Sequence, residues 1–333
     1  MSILDIAKYA NVSPATVSRT FNRPATVSKA TLERVRLISQ ELGYRPNASA
    51  RTLRTQRSRV LGVILPTLNN PVFAECLQGI AQATATLGFS IMPAMTDYQV
   101  EAEQEAVAHL QSLGVDGTIL VVSDTATSRA IEMLEQRPSP YVLIYNRHPR
   151  HPCVSVANDT ALDELVQELA RLGHSRIAMV CGQLKSSDRA QQRYAGFMEG
   201  MRKAGLVPEP LVEVPFVQTA IDDIARVLYG SSRPTALVCS NDLIAIRALR
   251  AAHVCGLKVP ADLSITGFDG IRIGQDLTPA LSTIVQPNHD IGRNSVELLV
   301  RALQEGRRPD ASDSVTLNHH FFTGESCAHA PLK

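Results

Sequence analysis

No apolar run in the 333-residue chain approaches the ~18 residues that a membrane-spanning helix requires. The amino terminus has no extended apolar stretch either, since Asp5 and Lys8 interrupt what little is there. Neither a leader nor an anchor is expected, and the protein reads as cytoplasmic with no membrane partner. The six cysteines, at 76, 153, 181, 239, 255 and 327, never stand in a CxxC pair, and several sit within or beside apolar runs. They read as buried free thiols of a reducing compartment. Signatures of catalysis are missing as well. GFDGIRIG at 267–274 has the wrong spacing for a dinucleotide loop, and GxSxG, HExxH and GxxxxGK[ST] do not occur. The nine histidines show no ligand spacing, and His319 and His320, adjacent on an expected strand, would point to opposite faces. No enzyme activity, cofactor or metal is expected.

What is present is an uneven charge. The overall balance is only +1, with 44% hydrophobic and 20% charged residues. Yet residues 1–59 carry 11 Lys or Arg against 3 Asp or Glu, while the remainder carries 22 against 29. A basic end on an acidic body points to a polyanionic partner for that end alone. The length suggests two or three domains.

Leu4 to Asn22, LDIAKYANVSPATVSRTFN, reads as two short helices joined by a tight turn. Ile6, Ala7 and Ala10 give the first an apolar face. Ser13 followed by Pro14 is an N-cap with proline at the first helical position, where no intrahelical N–H bond is lost. Along the second helix Val17 and Phe21 pack inward, leaving Ala15, Thr16, Ser18, Arg19 and Asn22 outward or flanking. That small, polar and basic set suits a DNA major groove, whereas a plain capped hairpin would suit the two helices taken alone. Ser28 then caps a third helix over 29–42, with Leu32, Val35, Leu37, Ile38 and Leu42 as its apolar face and Gly43 ending it. Residues 44–59, YRPNASARTLRTQRSR, read as a linker in which Asn47 can cap a short helix. Its eight or nine residues fall short of the roughly 12 to 15 that an isolated helix needs, so it is expected to be helical only with DNA and a second subunit present.

From Val60 onward, apolar β-rich runs alternate with helical patterns. The expected strands are 60–66, 89–95, 117–123 and 141–145, then 176–182, 211–215, 235–240 and 263–269. The expected helices lie near 72–87, 99–113, 126–136, 159–172, 187–205, 218–229 and 241–256, with another from about 290 to 304. Two tandem α/β units of this kind imply doubly wound parallel sheets and two lobes, with a ligand cleft outside the strand carboxyl ends. Phe73, in the loop after the first strand, is placed to form an aromatic platform.

IAKYANVSPATVSRTFN, the VS at 27–28, LGYRPNASARTLR and VLGVILP together resemble the lactose repressor and galactose repressor family of bacterial transcription regulators, from residue 3 to residue 325. The resemblance implies a helix-turn-helix headpiece (1–46), a hinge (47–59) and a periplasmic-binding-protein-like body (60–333). Chain crossings near 159, 287 and 318 would assign 60–158 and 287–318 to lobe one. Lobe two would take 159–286 and the carboxy-terminal strand. The family's base-reading positions fall on Pro14 and Ala15, which lack hydrogen-bonding side chains, so Thr16 and Arg19 take more of the polar readout. Ser2, Ser18 and Asn22 would be phosphate contacts, with local capping the alternative for Ser18 and Asn22. Asn47, Arg51 and Arg54 would engage DNA from the hinge, where Leu53 would be a minor-groove wedge. Arg193 and Asp269 match the family's effector-site arginine and carboxylate, with Asn146, Arg189 and Asn241 as further candidates. Asp242 fits a helix cap equally well. Residues 324–333 hold no heptad leucines, so a homodimer is expected rather than a coiled-coil tetramer.

The expected function is a homodimeric, ligand-responsive regulator that binds double-stranded operator DNA and a small effector, a sugar or related metabolite. Two rivals fare worse. A periplasmic solute-binding protein would carry a leader and no headpiece. A sugar-modifying enzyme with a DNA-binding appendage would need a catalytic constellation that is missing.

Overall fold

In the computed structural model the described residues are 1–44, 57–137, 139–216, 220–230 and 233–331, so Asn47, Arg51, Leu53 and Arg54 lie outside them. The chain divides into two compact units, Met1–Ser58 and Arg59–Lys333.

The first unit contains α1 (Ile3–Tyr9), α2 (Pro14–Asn22) and α3 (Lys29–Glu41). Each starts on a serine whose hydroxyl accepts an orphan N–H: Ser2 from Asp5 N, Ser13 from Thr16 N and Ser28 from Thr31 N. Such caps contribute about 1 kcal/mol apiece. Ile6, Ala7, Ala10, Val17 and Val35 form the small core, with Phe21 and Tyr44 at its edge, their rings 6.0 Å apart. Leu37 is a correction to the expected apolar face, being 58% exposed. Val35 and Ser39, four apart, are buried and Ile38 and Leu42 pack against the same core, whereas position 37 lies about half a turn away from Val35 and Ser39.

The second unit is built on two six-stranded sheets. The strands are β1 (Val60–Leu65), β2 (Ser90–Met95), β3 (Gly117–Leu120), β4 (Tyr141–Ile144), β5 (Cys153–Val156), β6 (Ile177–Gly182), β7 (Val212–Val214), β8 (Ala236–Cys239), β9 (Ser264–Asp269), β10 (Ser282–Val285), β11 (Val315–Leu317) and β12 (His320–Phe322). The helices are α4 (Pro71–Leu87), α5 (Val100–Ser112), α6 (Arg129–Gln136), α7 (Asn158–Arg171), α8 (Asp188–Lys203), α9 (Ile221–Leu228), α10 (Asp242–Val254) and α11 (Asn288–Gln304). Sheet one runs β11-β5-β4-β3-β1-β2 and is parallel throughout; sheet two runs β12-β10-β9-β8-β6-β7, with β12 alone antiparallel.

Strand alternation decides which helices cover which face. Leu61, Val63, Leu65, Ile119, Val142 and Ile144 pack with α4 and α11, whereas Ile64, Leu120, Tyr141 and Leu143 pack with α5 and α6. In sheet two, Ala178, Val180, Leu237 and Ile265 meet α9 and α10, while Ile177, Met179, Val238 and Phe268 meet α7 and α8. The chain passes from sheet one to sheet two after β5, returns through α11, and crosses once more between β11 and β12.

Two strands escaped the sequence reading. In β5 (CVSV) and β10 (STIV), four residues each, serine and threonine interrupt the apolar run that betrays a buried parallel strand. A third difference concerns His319, which lies between β11 and β12 and pairs with Glu164 at 2.9 Å, so it shares no strand with His320. All six cysteines are free thiols.

Candidate functional site

On the headpiece, Pro14, Ala15 and Arg19 are exposed on one helix, α2. Thr16 is tied into the cap, its hydroxyl 2.9 Å from that of Ser13. Asn22 donates to the Ser18 carbonyl at 2.7 Å and to the Ser18 hydroxyl at 3.3 Å. Ser2 exchanges hydrogen bonds with Asp5 in a capping box. Ser2, Thr16 and Asn22 thus fix local helix geometry in the unit by itself.

In the second unit a cavity of about 40 Å³ lies between the two sheets, outside their strand ends. Phe73, Arg189, Arg193, Asn241 and Asp269 all line it. Asn146 does not: it is fully buried behind the wall, exchanging hydrogen bonds with Val122 N and O and donating to Asp188 Oδ1 at 2.8 Å. Phe73 belongs to the first turn of α4 rather than to the preceding loop, because Asn70 caps that helix by accepting from Val72 N. Its ring meets Tyr145 edge-on, with 5.5 Å between centroids.

Arg193 is the centre of the polar floor. Its Nε donates to Asn158 Oδ1 at 2.9 Å, its Nη1 donates to the Ser240 carbonyl, and Asp269 Oδ1 lies 3.5 Å away. The guanidinium carbon stands 3.6 Å above the Phe268 ring. Burial pushes the guanidinium down from its usual value and Asp269 opposes that shift. Burial likewise raises the Asp269 carboxyl, against Arg193, Gln286 and Asn70. Gln286 Nε2 donates to Asp269 Oδ1 at 2.7 Å.

Asn241 and Asp242 divide the work differently from the expected cap. Asn241 is the N-cap of α10, accepting from Ile244 N at 2.8 Å while also facing the cavity. Asp242, wholly buried, accepts from Ile271 N at 2.8 Å and from the Thr283 hydroxyl at 2.6 Å, so it holds the turn that follows Asp269. Burial, reinforced by the nearby Asp269, raises its carboxyl to about 8.

Sequence reasoning missed the other half of the lining. Tyr98, in the loop after β2, stacks on Phe216, after β7, with 5.1 Å between centroids and 9° between planes. The pair lines the cavity from both lobes. Beside it the first turn of α8 reaches across to the loop after β3. Asp188 N donates to Ser123 O at 2.8 Å, Asp188 Oδ2 accepts from the Thr125 hydroxyl at 2.9 Å, and Arg189 Nη1 donates to Val122 O at 2.8 Å. Backbone strain gathers here too. Tyr98, Tyr145 and Asp269 have φ of 61°, 64° and 119°, a region that non-glycine residues enter only when their surroundings hold them there. No local sequence signal betrays such positions.

Among the described residues the lining holds arginines, one carboxylate, amides, hydroxyls and aromatic rings, but no histidine, lysine or cysteine. Asp269 is occupied by its partners, so no nucleophile with an adjacent base is assembled. Among the described residues no group of three or more His, Cys, Asp or Glu could hold a metal, and no helix is long and apolar enough to cross a membrane.

A capped helix-turn-helix headpiece together with a two-lobed body enclosing a polar cavity defines the class of ligand-responsive, DNA-binding transcriptional regulators. Comparison with known proteins narrows the class. Residues 2–47 match the model of bacterial regulatory proteins of the lacI family, and residues 166–327 match the periplasmic binding protein-like domain. The chain is 31% identical to catabolite control protein A of Priestia megaterium, over 92% of this chain and 93% of that one. It is 33% identical to the ribose operon repressor of Halalkalibacterium halodurans, over 91% of each. Identity to the HTH-type transcriptional repressor CytR of Escherichia coli is also 33%, over 90% and 89%. A solved lac repressor dimer bound to operator and an anti-inducer superposes with a TM-score of 0.88 at 28% identity, covering 98% of both chains. The chain belongs to the lacI family of bacterial regulatory proteins, and it is a regulator, not an enzyme.

Proposed function

We propose that the protein is a cytoplasmic repressor of a metabolic operon, acting as a homodimer on a pseudo-palindromic operator. The headpiece takes residues 1–46, the hinge 47–59 and the effector-binding body 60–333. Pro14, Ala15, Thr16 and Arg19 read base edges, and Ser2, Ser18 and Asn22 hold phosphates. Asn47, Arg51, Leu53 and Arg54 engage the operator from the hinge. A small sugar or related metabolite occupies the cavity against Phe73, Arg189, Arg193, Asn241 and Asp269, with Asn146 bracing the wall.

The observation that carries this reading is the polar cavity itself, lined by Phe73 and Tyr98 from one lobe and by Arg193, Asn241 and Asp269 from the other. A metabolite held there contacts both lobes, and its binding moves them relative to each other. That motion supplies a route from effector to hinge, and a coupling of about 1–3 kcal/mol suffices to switch operator occupancy.

Two measurements test the proposal. Selection from random duplex DNA should enrich a pseudo-palindrome with half-sites about one DNA turn apart. A thermal-shift screen of sugars, sugar phosphates, organic acids and nucleobases should then find a compound that stabilises the parent, changes operator affinity, and loses its effect in Asp269→Asn. Failure to enrich any symmetric site, or a stabilising ligand indifferent to Asp269→Asn, overturns the assignment.

A further inference from the structure

The body has a second hollow that shares no lining residue with the cleft cavity. On one face of sheet one, α5 and α6 cover β1 to β4, and the apolar cluster beneath them ends at Cys153, the first residue of β5. Beyond it, Ser155 on β5 and Thr316 on β11 are register partners, so their side chains stand side by side on that face. Both line an open groove of about 490 Å³. Arg147 and His148, from the loop after β4, form one wall. Gln192 on α8 and Asp159 on α7 form the other.

The polar groups of this groove differ in what they already hold. Two of the acceptors are occupied: Asp159 Oδ1 takes Arg147 Nη1 at 3.3 Å and Thr160 N at 2.9 Å, and Gln192 Oε1 takes Asn158 Nδ2 at 3.2 Å, whereas Asp159 Oδ2 takes no bond among the described residues. Ser155 is 1% exposed and lines the groove, yet its hydroxyl enters no hydrogen bond among the described residues; nor does that of Thr316. Arg147 uses one nitrogen, on Asp159, and keeps the rest of its N–H fork. His148 accepts from Arg150 N through Nδ1 and stacks on His151, leaving Nε2 without a partner among the described residues. The Ser155 and Thr316 hydroxyls therefore each have a donor to offer a molecule in the groove.

We propose that this groove is a second ligand site, selective for a small hydroxylated oxyanion, a phosphorylated or carboxylated metabolite. The anion pairs with the free side of the Arg147 fork, and its oxygens accept from Ser155, Thr316 and His148. Because Gln192 Nε2 already donates to the Arg147 carbonyl at 3.2 Å, the two walls belong to different lobes and are in contact. Ligand held between them senses the interlobe angle and is thermodynamically linked to the cleft.

Isothermal titration of the full-length chain with glucose 6-phosphate, gluconate and glucose tests the site. Saturable binding that Arg147→Gln weakens is expected for one or both anions but not for glucose. Whether phosphate or carboxylate is the preferred group follows from which anion binds. Arg147→Gln and Ser155→Ala should each weaken that binding about tenfold or more, with melting temperatures of the unliganded variants close to the parent. Asp269→Asn, in the cleft, should leave it intact. The inference is overturned by absence of saturable anion binding at millimolar concentration, by glucose binding that Arg147→Gln weakens equally, or by anion binding that Arg147→Gln preserves.

Discussion

Replacing Asp188 with alanine should open the body without unfolding it. The Asp188 carboxylate, 6% exposed, accepts from Thr125 Oγ1 at 2.9 Å, Thr125 N at 3.3 Å and Asn146 Nδ2 at 2.8 Å, and all three donors belong to the opposite lobe. A hydrogen bond to a charged group is worth about 1.5–3 kcal/mol, but these three share one carboxylate, and Asn146 also donates to Val122 O. Their loss is therefore less than additive, at about 2–4 kcal/mol. The closed form loses that amount and the open form does not, since parted lobes let water reach the same donors. Closure should weaken about 30- to 900-fold. The backbone amide of residue 188 is a clean reporter, because its bond to Ser123 O uses no side-chain atom. Hydrogen exchange should show protection at that amide falling by this factor. Protection inside sheet one, for example at the Val121 amide bonded to Ile64 O, should stay as in the parent. An unchanged amide at 188, or an equal loss of protection throughout the body, would refute the reasoning.

Three further outcomes follow from the same coordinates. Asp242 titrates at about 8 in the folded chain against 3.8 ordinarily, so between those values the folded state keeps a proton that the unfolded state has lost. Stability from this group is greatest at low pH and declines by up to about 1.4 kcal/mol per unit as pH rises toward 8. Asp242→Asn cannot ionise, so its melting temperature relative to the parent should climb from about pH 6 to pH 8, and parallel curves would exclude the effect. Gly196→Ala places a methyl carbon 2.1 Å from the Asp159 carbonyl oxygen on the facing helix. Urea titration should show a loss of about 1–3 kcal/mol, and none would mean that α7 and α8 can part freely. Ala15→Gln adds a side chain able to hold adenine bidentately, so site selection should return an altered base preference worth about 1–3 kcal/mol. Its salt dependence on random DNA should match the parent, and a change in that non-specific affinity alone would sink the assignment of Ala15 to base reading.

Features governed by near neighbours were legible in the chain alone. Ser13 with Pro14, and Ser28, announce helix starts because a cap acts through residues two or three positions away. The apolar strands and helices of the body were legible because burial repeats with their own period. Arg193 and Asp269 stood out through resemblance, without their environment. Strands β5 and β10 were hidden by their hydroxyl residues, and Leu37 was misplaced by composition where helical phase decides.

What tertiary structure decided is what the two lobes do to each other. Tyr98 and Phe216 become a stack, Asp188 reaches Thr125 and Asn146, and Asp242 abandons the cap to steady the turn behind Asp269. These partners lie far apart in sequence and meet only because the chain crosses between its sheets. The sequence by itself determined the headpiece, the α/β rhythm and the charge that marks the DNA-binding end, all properties of local periodicity and composition. The cleft cavity, its strained residues and the groove beside β11 were settled by long-range packing, since no local propensity places a hydroxyl near an arginine from another part of the chain.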